Sequence, residues 1–79
     1  MRDQAHVFEE RPYWVEPCRV YFIQFILEGY DGLAMVSTLD AALGLILVRG
    51  YVGSWPEIQA LLVQLGARPH GAYRSDVVS

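Results

Sequence analysis

The segment that most constrains this fold is residues 18–28, CRVYFIQFILE, which is apolar around nearly its whole circumference if it is helical. Its strongly polar residues are Arg19, Gln24 and Glu28, and the last two share one narrow strip of a helical wheel. A helix that covers one side of a sheet needs an apolar stripe only somewhat wider than about 100°. The segment therefore predicts a helix with more apolar surface than one sheet face can bury.

Two flanking residues favour the helix over a strand. Pro17 suits a first helical turn, where its missing N–H leaves no hydrogen bond unmade, and Gly29 suits the residue just after a helix. The β-branched and aromatic content of the segment keeps a strand as the alternative. We therefore expect helix one over residues 17–28.

The other elements follow from local signals. Residues 6–11 read as a short strand stopped by Pro12, because the residue before proline is pushed into extended geometry. Two apolar segments, residues 33–39 and 45–52, predict strands joined by a glycine-containing loop.

The second helix has a sharper start signal. Ser54 and Glu57 have the spacing of a capping box, and the predicted helix two runs to Leu65 and is closed by Gly66. Its apolar residues recur at helical spacing and define one buried face: Ile58, Leu61, Leu62 and Leu65. Residues 72–78 are compatible with a short final strand.

The order is β-α-β-β-α, with an optional final strand, over a single domain of residues 1–79. This order predicts the α+β class and resembles the ferredoxin-like split βαβ arrangement, with two helices on one face of an antiparallel sheet. The first and third strands are central in that topology. Glu9, Glu10 and Arg11 are too polar for a strand covered on both faces, so we expect either another strand order or one open sheet face.

Composition excludes several function classes. The net charge of −3 argues against nucleic-acid binding, because phosphate neutralisation needs a basic patch. No apolar run is long enough to span a membrane, and no signal peptide is evident, so we expect a cytoplasmic protein. One cysteine and two isolated histidines predict neither a metal site nor a cofactor.

The segment FILEGYDGLAMVSTLD, followed by an apolar strand and helix two, resembles a small bacterial family of single-domain proteins of unknown function. Its most specific piece is Glu28, Gly29, Tyr30, Asp31 and Gly32. That resemblance implies no catalytic or binding residue. The topology also resembles small ACT-type regulatory domains, which implies a ligand site near the connection between the first strand and helix one.

The segment EGYDG admits two interpretations. Glu28 is an acid at a helix C-terminus, where the helix dipole disfavours it, and such local conflicts sometimes mark a binding loop. Glycine and aspartate, however, are ordinary turn residues. We favour a structural corner between helix one and the next strand.

Arg19 is the sharper ligand candidate. It is a cation in the first turn of helix one, where an anion would meet both the guanidinium and the exposed backbone N–H groups. Arg11 is a candidate second donor to a small anionic ligand. The alternative is that Glu9, Glu10 or Glu16 supplies the negative charge.

Nothing in the sequence assembles a nucleophile, a base and an oxyanion donor, so we expect no enzyme. Ser37 and Thr38 lack the context of an activated nucleophile, and Cys18 has no histidine near it in sequence. The apolar surplus, with 53% hydrophobic residues, favours an association module that is a homo-oligomer or binds another protein through an apolar helix or sheet face. In the alternative, the connector of Tyr13, Trp14 and Val15 folds over helix one within the same chain.

Overall fold

The computed structural model describes residues 7–30 and 32–71, and within them the element order is β-α-β-β-α-β. The strands are β1 (Phe8–Trp14), β2 (Met35–Asp40), β3 (Leu45–Tyr51) and β4 (Arg68–Pro69). Helical segment one, residues 17–30, consists of a 3₁₀ turn (Pro17–Arg19), α1 (Val20–Gln24) and a π-helical turn (Phe25–Tyr30). A second 3₁₀ turn (Val52–Ser54) leads into α2 (Trp55–Gln64).

The strands form an antiparallel sheet in the order β2-β3-β1-β4. The predicted α+β class and ferredoxin-like arrangement are confirmed, with the first and third strands in the middle. The predicted final strand over residues 72–78 lies outside the described residues. β4 instead begins directly after the turn that follows α2, and its two residues pair with Tyr13 and Trp14.

The hydrophobic core lies between one face of the sheet and the two helical segments. Cross-strand neighbours share a face, so Val48 and Val36 point to the core together, as do Ile46 and Tyr13. The side chains with the least exposure come from both helical segments and from β3: Ile23, Leu27, Ile46, Val48, Ile58 and Leu62. The other face of the sheet carries no helix among the described residues. This agrees with the expectation of one open sheet face.

β1 continues through Pro12, so the prediction that proline stops this strand at Arg11 is wrong. The carbonyl of Pro12 accepts a hydrogen bond from the His70 N–H at 3.0 Å, on the β4 side of the strand. In an antiparallel ladder the N–H and C=O of one residue point the same way, so the missing N–H of Pro12 also faces β4. The ladder to β3 therefore loses no donor, and a proline is tolerated in a central strand.

The two charged residues on the core side of β1 are accommodated by Trp55. Arg11 and Glu9 alternate onto the core side of β1, and the Arg11 guanidinium lies over the Trp55 ring, with Cζ 4.4 Å from its centroid. Nε of Arg11 donates to Oε2 of Glu9 at 2.7 Å. The buried indole N–H of Trp55 donates to the Glu9 carbonyl at 3.2 Å. A polar strand thus lies in the centre of the sheet because one aromatic side chain packs on its core-side charged residues.

Helical segment one is helical as predicted for residues 17–28, so the alternative of a strand is wrong. Its geometry nevertheless changes from 3₁₀ to α to π along its length. Gly29 lies inside the π-helical turn without a positive φ, so its predicted role as the terminating glycine is wrong. The left-handed residue is Gly32, with φ +64°, and the N–H groups of Leu33 and Ala34 return to the Leu27 carbonyl.

α2 begins where predicted but by a different mechanism. Ser54 makes no side-chain capping hydrogen bond, so the capping box does not form. The preceding 3₁₀ turn feeds directly into the helix, with the Trp55 N–H bonded to the Val52 carbonyl. The predicted end is confirmed, because Gly66 has φ +85° and the Ala67 N–H closes on the Leu62 carbonyl at 2.9 Å.

The hairpin between β2 and β3 packs against the chain that leads into helical segment one. The Asp40 carboxylate accepts the Leu43 N–H at 3.1 Å and fixes the turn. Gly44 has φ +76°, and a Cβ at this position would collide with the Val15 carbonyl. The Val15 N–H donates to the Gly44 carbonyl at 2.7 Å, which locks the two segments together.

We predict that Gly44→Ala destabilises the protein more than Gly32→Ala. Both glycines have positive φ, which costs an alanine about 1–2 kcal/mol. A Cβ at Gly32 meets nothing within 4 Å, whereas at Gly44 it meets the backbone of Val15. Urea unfolding should therefore give a loss of unfolding free energy for Gly44→Ala at least about twice that for Gly32→Ala. Equal losses would show that the contact with Val15 relaxes at no cost.

Candidate functional site

Helical segment one carries an exposed aromatic stripe. Cys18, Tyr21, Phe22 and Phe25 follow the i, i+3, i+4, i+7 spacing and form what we term the helix-one face. Tyr21 is 82% exposed, Phe25 60% and Phe22 47%, and the Cys18 thiol is also exposed. Three neighbouring rings on one helix thus lie largely in solvent.

The opposite side of the same segment supplies the core. Val20, Ile23 and Leu27 are buried against the sheet, so the aliphatic residues point inward and the aromatic ones outward. An inward stripe of this width is all that a single sheet face accepts. The sequence-based expectation that one face cannot absorb every apolar residue of this segment agrees with the observed exposure.

The connector does not cover the helix-one face. Tyr13 and Val15 are buried in the main core, where the Tyr13 ring stacks against Trp55 with centroids 6.4 Å apart. Burial raises the pKa of the Tyr13 hydroxyl above its ordinary value. Trp14 points to the open face of the sheet and stacks on His70 at 4.9 Å. The three connector residues therefore pack within the sheet layer, away from the exposed rings.

The two candidate arginines stack on different rings. Arg11 lies over Trp55 and is bound to Glu9, as described above. Arg19 is exposed, and its Cζ lies 5.5 Å from the centroid of the Phe22 ring. The structure therefore places Arg19 beside the helix-one face and does not join it with Arg11 in a single clamp. Ligand binding by either residue stays a prediction.

Glu28 has a structural partner that explains its position. Its Oε2 accepts the backbone N–H of Val36 at 2.6 Å, and its Oε1 receives a longer contact of 3.4 Å from the Gln24 amide. β2 is an edge strand, and the Val36 N–H points away from β3 towards this carboxylate. The contacts favour the interpretation of EGYDG as a corner. Asp31 and the side chain of Tyr30 lie outside what the structure describes.

The remaining polar candidates do not come together. His6 lies outside the described residues, and His70 stacks on Trp14. Within residues 7–30 and 32–71, no group of three or more histidine, cysteine, aspartate or glutamate residues could hold a metal ion. Over the same residues, no helix is both long and apolar enough to cross a bilayer.

A cavity of about 330 Å³ lies at the end of the sheet where β3 finishes, and sequence reasoning missed it. We term it the sheet-end cavity. Its lining includes six residues used below: Phe8, Leu33, Ala34, Met35, Arg49 and Tyr51. The alternation in LILVRGY could have indicated it, since Arg49 and Tyr51 occupy outward positions beside two buried ones. The strand pairing that completes it spans more than 40 residues and is invisible locally.

A second cavity, of about 270 Å³, lies at the connection between β1 and helical segment one. Its lining includes Glu16, Pro17, Leu43 and Arg68. The arginine here is Arg68, which the sequence analysis did not select, while Arg11 and Arg19 are not among the lining residues. The opposite charge of Glu16 on the same cavity weakens its case as an anion site.

The model of one protein family matches residues 13–68, and that family is described as a domain of unknown function, DUF4911. The match spans most of the chain, from the last two residues of β1 to the first residue of β4. No curated protein and no solved structure shows a significant match.

We predict that Glu28 is a stability residue whose oxygen matters more than its charge. Glu28→Ala removes the acceptor of the Val36 N–H and should lower the free energy of unfolding by about 1–3 kcal/mol. Glu28→Gln keeps an acceptor oxygen and should recover at least half of that loss, as measured by urea unfolding. An unchanged stability in Glu28→Ala would mean that water replaces the carboxylate at no cost.

Proposed function

The chain belongs to DUF4911, a family of unknown function, and from its own surfaces we propose that it is a non-enzymatic association module that works as a homodimer. The two copies meet through the helix-one face. The single observation that carries this proposal is the exposure of Tyr21, Phe22 and Phe25 on one stripe.

The size of the exposed stripe supports association. At about 200 Å² for a fully exposed aromatic side chain, the three rings offer about 350–400 Å² per copy. A standard interface buries about 800 Å² per partner, so the rings supply roughly the apolar centre, and neighbouring residues would form the rim. Aromatic side chains are also the type most enriched at interface hot spots.

The chemistry of the stripe favours a second copy as the partner. A two-fold interface brings the same patch from each subunit, and stacking rings are compatible with themselves. The chain carries a net charge of −3, so most pairs of surfaces repel. The helix-one face carries no carboxylate. Arg19 at its edge is positively charged, whereas the chain as a whole is negatively charged. The helix-one face is therefore a surface on which two acidic chains can approach.

The absence of a catalytic role is part of the proposal. Two of the candidate polar side chains have structural partners: Arg11 is engaged by Glu9 and Trp55, and Glu28 by the Val36 backbone. Neither is left to activate a substrate.

A second proposal is a regulatory module that binds a small anionic metabolite near Arg19, as the ACT-type resemblance implies. Its support is the exposure of Arg19 beside Phe22 at the start of helical segment one. The dimer takes precedence because it rests on three exposed rings, whereas the anion site rests on one exposed arginine.

We predict that light scattering at micromolar concentration gives a mass of twice 8.9 kDa for the native chain. Phe25→Glu should give a mass near 8.9 kDa, because the substitution places a charge at the centre of the interface. Val63→Glu is the matched control: Val63 is an apolar residue on α2 that is 67% exposed and lies off the helix-one face. This variant should keep the mass of the native chain.

Two outcomes would contradict the dimer. One is a native mass near 8.9 kDa over the whole micromolar range. The other is an equal loss of association in both variants, which would point to general destabilisation. Circular dichroism of each variant separates unfolding from dissociation.

The anion proposal has its own test. Citrate added to the ¹⁵N-labelled protein should shift the Arg19 amide resonance saturably, and Arg19→Gln should abolish the shift. Arg68→Gln, an exposed arginine outside helical segment one, is the control and should leave the shift intact. Shifts that survive Arg19→Gln would remove Arg19 as the ligand-binding residue.

A further inference from the structure

The sheet-end cavity is built from the ends of three strands and lies away from the helix-one face. Phe8 opens β1 and pairs with Tyr51, which closes β3. Arg49 pairs with Met35, the first residue of β2. Because paired residues share a face, the side chains of all four residues converge on the open side of the sheet.

The walls of this cavity are ordered by aromatic contacts. The Phe8 and Tyr51 rings stack with centroids 4.5 Å apart and an angle of 22° between their planes. The Arg49 guanidinium lies over the Phe8 ring, with Cζ 4.3 Å from the centroid. Leu33 and Ala34 complete an apolar lining on the side of the core. The cavity is thus a preformed apolar recess with a cation fixed on its wall.

The two charged side chains that line the cavity, Glu28 and Arg49, differ in their partners within the protein. Glu28 reaches the lining, but its carboxylate is held by the Val36 N–H and the Gln24 amide. Arg49 has an ion pair with Glu10, with Nε 4.0 Å from Oε2, between half-exposed side chains. A guanidinium has further N–H donors in a fork that matches a carboxylate. The charge that this recess offers a ligand is therefore positive.

We infer that the sheet-end cavity binds a small monocarboxylate with an apolar body, such as an aryl or branched aliphatic acid. The apolar body lies against Met35, Leu33 and the Phe8–Tyr51 stack, and the carboxylate meets Arg49. A volume of about 330 Å³ lies within the range of about 300–1,000 Å³ typical of small-ligand sites.

The surrounding charges select the monoanion. Glu10 pairs with Arg49 and Glu28 lines the same cavity, so a phosphate or a dicarboxylate would bring excess negative charge into a site with two carboxylates. A neutral amide of the same shape would fill the recess but lose the charge-assisted hydrogen bonds to Arg49, which are about twice as strong as neutral ones. This inference is independent of the proposed dimer, because the cavity and the helix-one face share no residue.

The test is a titration of the ¹⁵N-labelled native chain with phenylacetate, phenylacetamide and inorganic phosphate. Phenylacetate should shift the Ala34 and Gly50 amides saturably, and both comparison compounds should bind at least about tenfold more weakly. The Gly66 amide, at the end of α2, should not move. Equal shifts from phenylacetate and phenylacetamide, or no saturable shift with phenylacetate, would overturn the proposal.

Two substitutions locate the site. Arg49→Gln should weaken phenylacetate binding by about tenfold or more, whereas Arg68→Gln should leave it unchanged. If the NMR spectrum of Arg49→Gln loses its amide dispersion, the variant is unfolded, and Met35→Trp is used to test the site instead. Met35 is 61% exposed on an edge strand, and a larger side chain there fills the recess without removing a charge. Retained phenylacetate affinity in Met35→Trp would overturn the assignment of the site.

Discussion

The Trp55 side chain is the contact that allows a strand with charged core-side residues to lie in the middle of this sheet. It receives Arg11 on its face, donates its indole N–H to the Glu9 carbonyl and stacks against Tyr13. These contacts come from three consecutive core-side positions of β1 and from the first residue of α2. Without such a cover, Glu9 and Arg11 would carry the desolvation cost of charges against an apolar layer. The strand order and the placement of α2 therefore depend on one another through a single side chain.

That arrangement also explains how apolar residues are distributed between the two helical segments. α2 closes the core beside Trp55 with Ile58 and Leu62, while helical segment one contributes Ile23 and Leu27 to the remaining space. The sheet has then no further inward room for rings, and the aromatic residues of helical segment one lie outside. In a domain of 79 residues the surface is large relative to the core, so the core cannot bury every apolar side chain. The outward stripe is a consequence of core volume as much as of helix periodicity.

The predictable part of the structure is the part carried by periodicity. The positions of both helical segments and of the hairpin followed from apolar spacing and from glycine and proline signals, whereas the polar residues of β1 left the strand order open. Local rules fail where distant residues decide: proline geometry alone predicts a strand end at Pro12, but the Pro12 carbonyl is bonded to the N–H of His70, almost 60 residues away in sequence. Ser54 lost its capping role because the preceding turn supplies the backbone bonds. The sheet-end cavity needed register between β1, β2 and β3, which no short pattern encodes. The helix-one face was foreseeable, since a helix apolar on nearly all sides must leave some of it uncovered.

The bond between Glu28 and the Val36 N–H affects how readily another strand can add to the β2 edge. An edge strand exposes backbone donors that another copy can extend into a continuous sheet, the first step towards fibrils. On β2 one such donor is already occupied by a carboxylate, and a charge lies beside the edge where an incoming strand would have to pair. In a chain rich in β-branched and aromatic residues, the Glu28 carboxylate thus opposes the addition of another strand to β2. The same acid that is unfavourable for a helix C-terminus acts as a gatekeeper for the neighbouring strand.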